Sequence, residues 1–228
     1  MQVPPAMISA QIEQVVSDIG VDAIKIGMLG SGETASAVAD ALEGLAGIPV
    51  VVDPVMISES GSRLLEVDAL ATLVGRIVPL ATVITPNLPE AAHLLGRESE
   101  PIDDDQEEMA RDLFELGADA VVVTGGHTGA GDDLLFDGES VIRIVGPRHP
   151  DGAAHGSGCT HSSALAAGLA SGLELEQAAR LARVVAADAV GWGEAGLGSG
   201  AGPVSAFDLA AGRAWARSAV GAPAETSP

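Results

Sequence analysis

The apolar positions of this chain repeat with two spacings, one typical of amphipathic helices and one typical of short buried strands. The first helical face is formed by Ile8, Ile12, Val15, Val16 and Ile19, which recur with the period of an α-helix. Gly20 follows at the place where a helix commonly ends. A short apolar strand is predicted next, at residues 23–26.

The alternation of helix and strand continues through the first half of the chain. Helices are predicted around Val38, Leu42 and Leu45, through residues 70–77 and at residues 106–116, and strands at residues 49–53, 82–85 and 120–124. The run VVV at residues 121–123 is typical of a strand buried on both faces, as in a parallel sheet covered by helices. We therefore predict an α/β fold with a mostly parallel central sheet flanked by helices on both faces.

The second half of the chain begins with an interruption of this pattern. Residues 133–145 read as two strands around the turn pair Asp137 and Gly138, which predicts a β-hairpin insertion. Helices are predicted from Cys159 through residue 172 and at residues 175–192. Residues 1–219 are predicted to form one domain, and residues 220–228 a disordered tail.

The composition limits the kinds of molecule that this chain is expected to bind. The 228 residues carry a formal net charge of −21, which repels nucleic acid and anionic membranes because both are bound largely through Lys and Arg. A polyanionic ligand would need a divalent cation and backbone N–H groups. The single cysteine excludes an internal disulfide, and the first residues lack the pattern of a signal peptide. We expect a cytoplasmic protein that binds neither nucleic acid nor membrane.

The motif HGSGCT at residues 155–160 carries the strongest chemical signal. Gly156 and Gly158 flank Ser157 just before a predicted helix, where backbone N–H groups can face an anion. Cys159 would lie in the first turn of that helix, where the helix field favours the thiolate. The motif predicts an anion hole followed by a thiolate that accepts a proton.

Two alternatives stay open for this motif. Gly156 and Gly158 would only shape a turn if Cys159 were a small buried residue, as most cysteines outside disulfides are. Asp132 also competes with Cys159 for the catalytic role, because HTGAGDD contains the GAGD string of sugar kinases. A strand pattern follows Asp132, so no helix would supply N–H groups there, and this favours Cys159.

Two carboxylates follow neighbouring predicted strands. Because ligands of open parallel sheets bind beyond the carboxyl ends of the strands, Asp53 and Glu90 are expected to face a common point. Oxygen ligands of this kind suit Mg²⁺. Each residue also has a simpler explanation: Glu90 and Asn87 would begin a helix, and Asp53 would cap a turn at Pro54.

Other residues on the same predicted rim carry weaker signals. Met28 and Val55 would line a flat ring there, although single apolar residues more often belong to the core. Thr124 is followed by the glycine pair of TGGH. The motif GxxxxGK[ST] is absent from the sequence, which excludes a P-loop.

Together these segments resemble the hydroxymethylpyrimidine and phosphomethylpyrimidine kinases of thiamine synthesis, members of the ribokinase superfamily. The motifs KIGMLGS, DPVM, ITPNLPEA, GGH and HGSGCT occur in the family's order. The resemblance implies a ribokinase-like fold. It also implies transfer of phosphate from Mg-ATP to the hydroxymethyl group of the pyrimidine and to its monophosphate.

The resemblance assigns a role to each residue that matches a family motif. The implied roles are catalysis by Cys159 with Gly156, Ser157 and Gly158 as the anion hole, metal binding by Asp53 and Glu90, nucleotide binding by Asn87, Thr124, Gly125 and Gly126, and contact with the pyrimidine by Met28 and Val55. Thr124 departs from the family, since many members carry a lysine at this position that faces the ATP phosphates.

The resemblance leaves several expectations to test. Family members begin with a strand and a glycine-rich substrate loop that this sequence lacks, so we expect a truncated N-terminus. Pyridoxal kinases are a close alternative in function. A non-catalytic module that binds a pyrimidine or nucleotide, or an inactive fragment, is an alternative of another class. Relatives are commonly dimers, which makes a homodimer the expected assembly.

Overall fold

The computed structural model describes residues 3–56, 65–97, 102, 105–129 and 131–206. The chain forms two compact units, residues 1–143 and residues 144–228. Among its described residues, the first unit contains five α-helices and the sheet except for Ile144, the last residue of its final strand, and the second contains a pair of helices. The predicted tail at residues 220–228 lies outside the described residues.

The first unit alternates helix and strand, as the apolar spacing predicted. Its elements are α1 (Pro5–Asp18), β1 (Ile24–Ile26), α2 (Gly32–Leu42), β2 (Val50–Val52), α3 (Val67–Thr72), β3 (Val83–Ile84), α4 (Leu88–Leu94), α5 (Gln106–Phe114), β4 (Val121–Val123), β5 (Asp133–Phe136) and β6 (Val141–Ile144). Helix α3 continues as a π-helical turn, Leu73–Ile77, and a 3₁₀ turn, Val78–Leu80. The prediction of a single helix through residues 70–77 therefore missed a change of helix type.

The strands of the described sheet lie in chain order, from β1 to β6. Strands β1 to β4 pair in parallel, with Lys25 opposite Val51, Val52 opposite Ile84, and Ile84 opposite Val121. Strand β5 reverses direction against β4. A tight turn with Gly138 at φ +92° separates β5 from β6, which confirms the predicted hairpin.

The core of the first unit is aliphatic and lies along the sheet. Residues of β2, β3 and β4 are fully buried, and α2, α4 and α5 pack their apolar faces against them. Helix α1 differs from this arrangement, because none of its residues is buried and Ile19, just after its end, is 78% exposed. Periodicity therefore predicted that α1 is a helix but not how little of its apolar face is covered.

The second unit is built on two helices that pack closely. They are α6 (Ser157–Ala170) and α7 (Leu175–Gly191). A Cβ placed on Gly168 would lie 3.0 Å from the Cβ of Ala178, so the small residues predicted in α6 let the two helices approach each other. Among the described residues, no helix is both long enough and apolar enough to cross a membrane.

Candidate functional site

Backbone hydrogen bonds bring four of the predicted motifs side by side at the carboxyl ends of β1 to β4. The amide of Asp53 donates to the carbonyl of Ile26 at 2.8 Å, and the amide of Thr124 donates to the carbonyl of Pro86 at 2.8 Å. Asn87 and Thr124 form a parallel β-bridge. The rim predicted from the sequence is therefore present in the first unit, and HGSGCT lies in the second unit.

The carboxylate of Asp53 is buried and forms an ion pair with the ammonium group of Lys25. The residue is 4% exposed, and Nζ of Lys25 lies 3.1 Å from its Oδ2. A buried carboxylate requires such a partner, because desolvation disfavours its charge. The side chain of Asp53 is thus held by an ion pair, and the turn at Pro54 is closed by backbone atoms, with the amide of Val55 donating to the carbonyl of Asp53 at 2.8 Å.

Asn87 and Glu90 begin helix α4 as a reciprocal capping box. The side chain of Asn87 accepts from the amide of Glu90 at 2.9 Å, and Oε2 of Glu90 accepts from the amide of Asn87 at 2.9 Å. This confirms the simpler explanation for both residues. Burial raises the pKa of Glu90 to about 7, the hydrogen bond from Asn87 opposes that rise, and the negative charge of Asp53 adds to it. The two carboxylates are therefore close enough to repel each other.

The chemistry of this acidic pair fits a magnesium ion. Two mutually repelling carboxylates, one of them buried, favour a cation between or beside them. Within the described part of the chain, no group of three or more His, Cys, Asp or Glu side chains is placed to enclose a metal. A site of this composition suits Mg²⁺, which keeps several waters and phosphate oxygens among its ligands.

The loop after β4 is fixed by buried polar groups. The amide of Gly125 donates to Oδ1 of Asp133 at 2.8 Å, and Nε2 of Gln106 donates to the carbonyls of Val123 and Asp132 at 2.9 and 3.0 Å. A Cβ on Gly125 would lie 2.2 Å from the carbonyl oxygen of Asp132. Gly125 is thus required for packing, and its amide is already engaged.

Thr124 and Gly126 lie at the accessible part of the same loop. Thr124 is half-buried and Gly126 is exposed, with open space where a Cβ would be. Asp132 is followed directly by strand β5 rather than by a helix, as the sequence predicted. The N–H groups of a helix start are therefore absent after Asp132, which supports the preference for Cys159.

The two predicted apolar contacts have different surroundings. Met28 is 60% exposed and lines a cleft of about 460 Å³ together with residues of α1 and α2. Val55 is half-buried in the turn after β2. Both remain at the rim, as predicted, and neither belongs to the core.

The second unit places Cys159 in the first turn of α6. Gly156 is the N-cap residue, with φ +91°, and the helix begins at Ser157, two residues before Cys159. Cys159 is exposed, which excludes the alternative of a small buried core residue. The thiol is therefore accessible at a helix N-terminus, where the helix field favours its ionised form.

The backbone amides of Ser157 and Gly158, the two residues before Cys159, differ in their hydrogen bonding. The amide of Ser157 donates to the carbonyl of Ala154 at 3.0 Å, so it is engaged within the turn. In the described residues of this unit, the amide of Gly158 makes no hydrogen bond, and open space surrounds the position of its missing Cβ. The structure thus favours Gly158 over Ser157 as a donor to an anion.

A short extended segment supports this turn. His155 pairs in parallel with Pro203, its amide donates to the carbonyl of Gly202 at 3.0 Å, and its carbonyl accepts from the amide of Val204 at 3.0 Å. Val204 also approaches the position of a Cβ on Gly156 at 3.4 Å. Residues 200–204, with the sequence GAGPV, therefore fix the backbone that precedes α6.

Comparison with known protein families shows which family shares these motifs. The family described as "Phosphomethylpyrimidine kinase" matches residues 1–205. The chain belongs to the phosphomethylpyrimidine kinase family. A Hydroxymethylpyrimidine/phosphomethylpyrimidine kinase from Rhizobium meliloti (strain 1021) is 44% identical over 207 residues, which cover 88% of this chain and 76% of the relative.

Solved structures show the same fold as this family member. An ADP complex of Bacillus subtilis pyridoxal kinase is 34% identical, with a TM-score of 0.81, and the match covers 92% of this chain and 79% of that chain. A phosphomethylpyrimidine kinase from Clostridium difficile 630 is also 34% identical, with a TM-score of 0.70 over 80% of this chain and 75% of that chain. The ribokinase-like α/β fold predicted from the sequence is confirmed.

Three residues of this phosphomethylpyrimidine kinase family member were not predicted as part of the site. Lys25 pairs with Asp53, and Gln106 and Asp133 fix the loop that carries Thr124. The sequence could have indicated Lys25, because a lysine between two isoleucines of a short strand needs a nearby anion. The sequence pattern could not have indicated Gln106 and Asp133, since polar residues at the ends of a helix and a strand are common on protein surfaces.

Proposed function

We propose that this chain is an ATP-dependent kinase that phosphorylates the hydroxymethylpyrimidine precursor of thiamine and then its monophosphate. The observation that carries this proposal is the exposed thiol of Cys159 in the first turn of α6, one residue after the open amide of Gly158. Membership of the family supplies the substrate class. The Bacillus subtilis neighbour, described as an ADP complex, supports ATP as the phosphate donor.

Cys159 and Gly158 would perform the chemical step. The substrate hydroxyl oxygen forms a bond to the γ-phosphorus as the bond from that phosphorus to the ADP oxygen breaks, and the hydroxyl proton passes to the thiolate of Cys159. The amide of Gly158 would stabilise the negative charge on the phosphoryl oxygens during this transfer. The amide of Ser157 is engaged by Ala154, so its share in the anion hole is smaller than the sequence alone implied.

Asp53 and Glu90 are the proposed holders of magnesium. Bound there, the ion would neutralise charge on the ATP phosphates and orient them. Asn87 keeps Glu90 in position through the capping box. Thr124 and Gly126 would contact the nucleotide phosphates through the hydroxyl and the backbone, while Gly125 shapes the loop.

Met28 and Val55 are proposed to contact the pyrimidine ring. Met28 is exposed and Val55 is half-buried, so both offer apolar surface to a ring at the rim. The residues of both units are assigned to one reaction because the family's motifs occur in both. Cytoplasmic location, a homodimer, and the absence of nucleic acid and membrane partners are further proposals.

The test measures phosphate transfer directly. The chain is incubated with Mg-ATP and the hydroxymethylpyrimidine, and the phosphorylated products are followed by ³¹P NMR. Cys159→Ala is expected to lose activity about 10²-fold or more, since general-base catalysis contributes that much, while its binding of ATP stays unchanged. Wild-type turnover by Cys159→Ala would refute the role of the base, and absence of turnover by the wild-type chain would refute the kinase.

A pyridoxal kinase is the second candidate. The observation that favours it is the wider structural match, since the Bacillus subtilis pyridoxal kinase superposes on 92% of this chain and the Clostridium difficile phosphomethylpyrimidine kinase on 80%. A relative that is 44% identical to this chain is named for the pyrimidine, which favours the pyrimidine as the first candidate. Competition between the two substrates, read as the ratio of their kcat/KM values, decides between the candidates.

A further inference from the structure

Lys25 forms an ion pair at the centre of the proposed metal site. Its Nζ lies 3.1 Å from Oδ2 of Asp53, and the side chains are 21% and 6% exposed. Lys25 is the only lysine of the sequence. A cation with partial access to solvent thus contacts a buried carboxylate that is proposed to bind a metal.

The backbone at Gly27 makes this contact possible. A Cβ on Gly27 would lie 2.7 Å from Nζ of Lys25 and 3.8 Å from its Cε. The ammonium therefore lies against the face of Gly27 on which any other residue would carry its side chain. Since only the end of the lysine side chain is in the way, a small side chain at residue 27 would displace the ammonium without moving the backbone.

The charges around Asp53 make metal and lysine competitors. Lys25 supplies one positive charge to a pair of carboxylates, Asp53 and Glu90, that otherwise repel each other. A divalent cation bound to Asp53 would lie within a few ångströms of the ammonium and be repelled by it. The repulsion is relieved when the lysine moves toward an anion, and nucleotide phosphates supply that anion.

We propose that Lys25 is a resident counter-cation of Asp53 that competes with a divalent cation, so that the metal binds tightly only together with the nucleotide. The proposal rests on the proposed function, because it takes Asp53 as a metal ligand. It assigns to Lys25 a positioning role: the lysine holds the carboxylate of Asp53 in place until metal and phosphates arrive together. Metal and nucleotide are then coupled, each raising the affinity of the other.

The first experiment measures binding of Mn²⁺ to the full chain in the absence of nucleotide, by electron paramagnetic resonance. Mn²⁺ is suitable because it prefers the same oxygen ligands as Mg²⁺. Lys25→Met is expected to raise the Mn²⁺ affinity about tenfold or more, because it removes a repelling charge from a poorly screened site. An affinity equal to that of the wild type, or lower, would overturn the proposal.

Arg76→Met is the matched control. Arg76 pairs with Asp40 and Glu43 on the surface, so this variant makes the same change of net charge away from the rim. It is expected to change the Mn²⁺ affinity less than about twofold, since exposed charges are well screened. An equal rise in both variants would mean that only net charge matters, which also contradicts the proposal.

Gly27→Ala tests the same idea without removing the charge. Its methyl group displaces the ammonium from Asp53, and the Mn²⁺ affinity is expected to rise toward that of Lys25→Met. This variant keeps the lysine and its charge. It decides the question if Lys25→Met fails to fold, and an unchanged affinity in Gly27→Ala would then count against the proposal.

Selective ¹³C labelling of lysine adds a spectroscopic readout, because the chain contributes one lysine side chain. Its Cε signal is expected to shift when diamagnetic Mg²⁺ and ATP are added together to the metal-free chain, and to lack that shift in Asp53→Asn. Failure of the proposed function has a different signature: neither the wild type nor any variant would bind metal, with or without ATP. Metal binding that is lost in Asp53→Asn but unaffected by Lys25→Met would refute the counter-cation alone.

Discussion

Oε2 of Glu90 accepts a hydrogen bond from the backbone amide of Asn87 at 2.9 Å. The carboxyl proposed to serve the metal is therefore also the group that closes the start of α4. Burial raises the pKa of this carboxyl to about 7, so its proton is lost near neutral pH. The protonation state of Glu90 is therefore linked to the hydrogen bond that closes the start of α4.

We expect the stability of the wild-type chain, relative to Glu90→Gln, to fall as pH rises from about 5 to about 8. The pKa of Glu90 in the folded state, about 7, lies above its ordinary value of 4.5. The folded state then binds more protons than the unfolded state between these values, so the contribution of Glu90 is complete below the ordinary pKa and is lost as pH passes through 7. The full change amounts to about 3 kcal/mol at most.

Urea denaturation of both variants at several pH values measures this difference. Glu139→Gln is the control, because Glu139 is exposed in the turn between β5 and β6. A difference between wild type and Glu90→Gln that does not change with pH would contradict the raised pKa.

Gly158→Ala is expected to separate stability from activity. The Cβ would enter open space near the start of α6, so stability should rise by up to about 1 kcal/mol. The same methyl group would crowd the amide proposed to contact the phosphoryl group, and kcat should fall at least about tenfold. Thermal unfolding and turnover assays give the two readouts.

Gly156→Ala is the companion variant, with the opposite effect on stability. Gly156 has φ +91°, a conformation that costs an alanine about 1 kcal/mol or more. Full activity in Gly158→Ala would show that the amide of residue 158 has no part in transfer.

Gln106→Leu should destabilise the first unit and weaken nucleotide binding. It removes two hydrogen bonds to the carbonyls of Val123 and Asp132, at a cost of about 1–3 kcal/mol for buried groups. Because those bonds fix the loop that carries Thr124, the KM for ATP should increase more than kcat decreases. Urea denaturation and steady-state kinetics test both expectations, with the exposed Gln14→Leu in α1 as the control.

Thr124→Lys should lower the KM for ATP. Thr124 forms a β-bridge with Asn87 beside the proposed phosphate contacts, and an added positive charge there would attract the phosphates. We expect a decrease of roughly threefold to tenfold, which shrinks as salt concentration rises. Thr124→Met keeps the length without the charge, and an equal decrease in that variant would rule out the electrostatic explanation.

Much of the fold was predictable because the apolar residues encode it locally. The all-valine β2 and β4, with the amphipathic α5 between β3 and β4, show the spacing of buried strands and a half-buried helix. Those signals depend only on neighbouring residues. The ends were less accurate, as with Leu45 and Leu116, which lie beyond the observed helices, because helix ends depend on caps as well as on apolar spacing.

Contacts between distant residues could not be predicted in the same way. The ion pair of Lys25 and Asp53 joins residues 28 positions apart and depends on the register of two strands and on the space at Gly27. The engagement of the Ser157 amide by Ala154 depends on how one turn closes. The sequence therefore indicated which residues serve the site, and the structure was needed to show which of their atoms are already engaged.

The order of the strands has a consequence for how the chain assembles. Each described strand of the sheet pairs with the one that precedes it in the chain, so every new strand can add to an edge that already exists. The parallel pairs join residues 26, 32 and 37 positions apart, and a connection that skipped a strand would enclose a longer loop at a greater entropic cost. During synthesis the sheet can therefore grow one strand at a time behind the ribosome, before α6 and α7 have been translated.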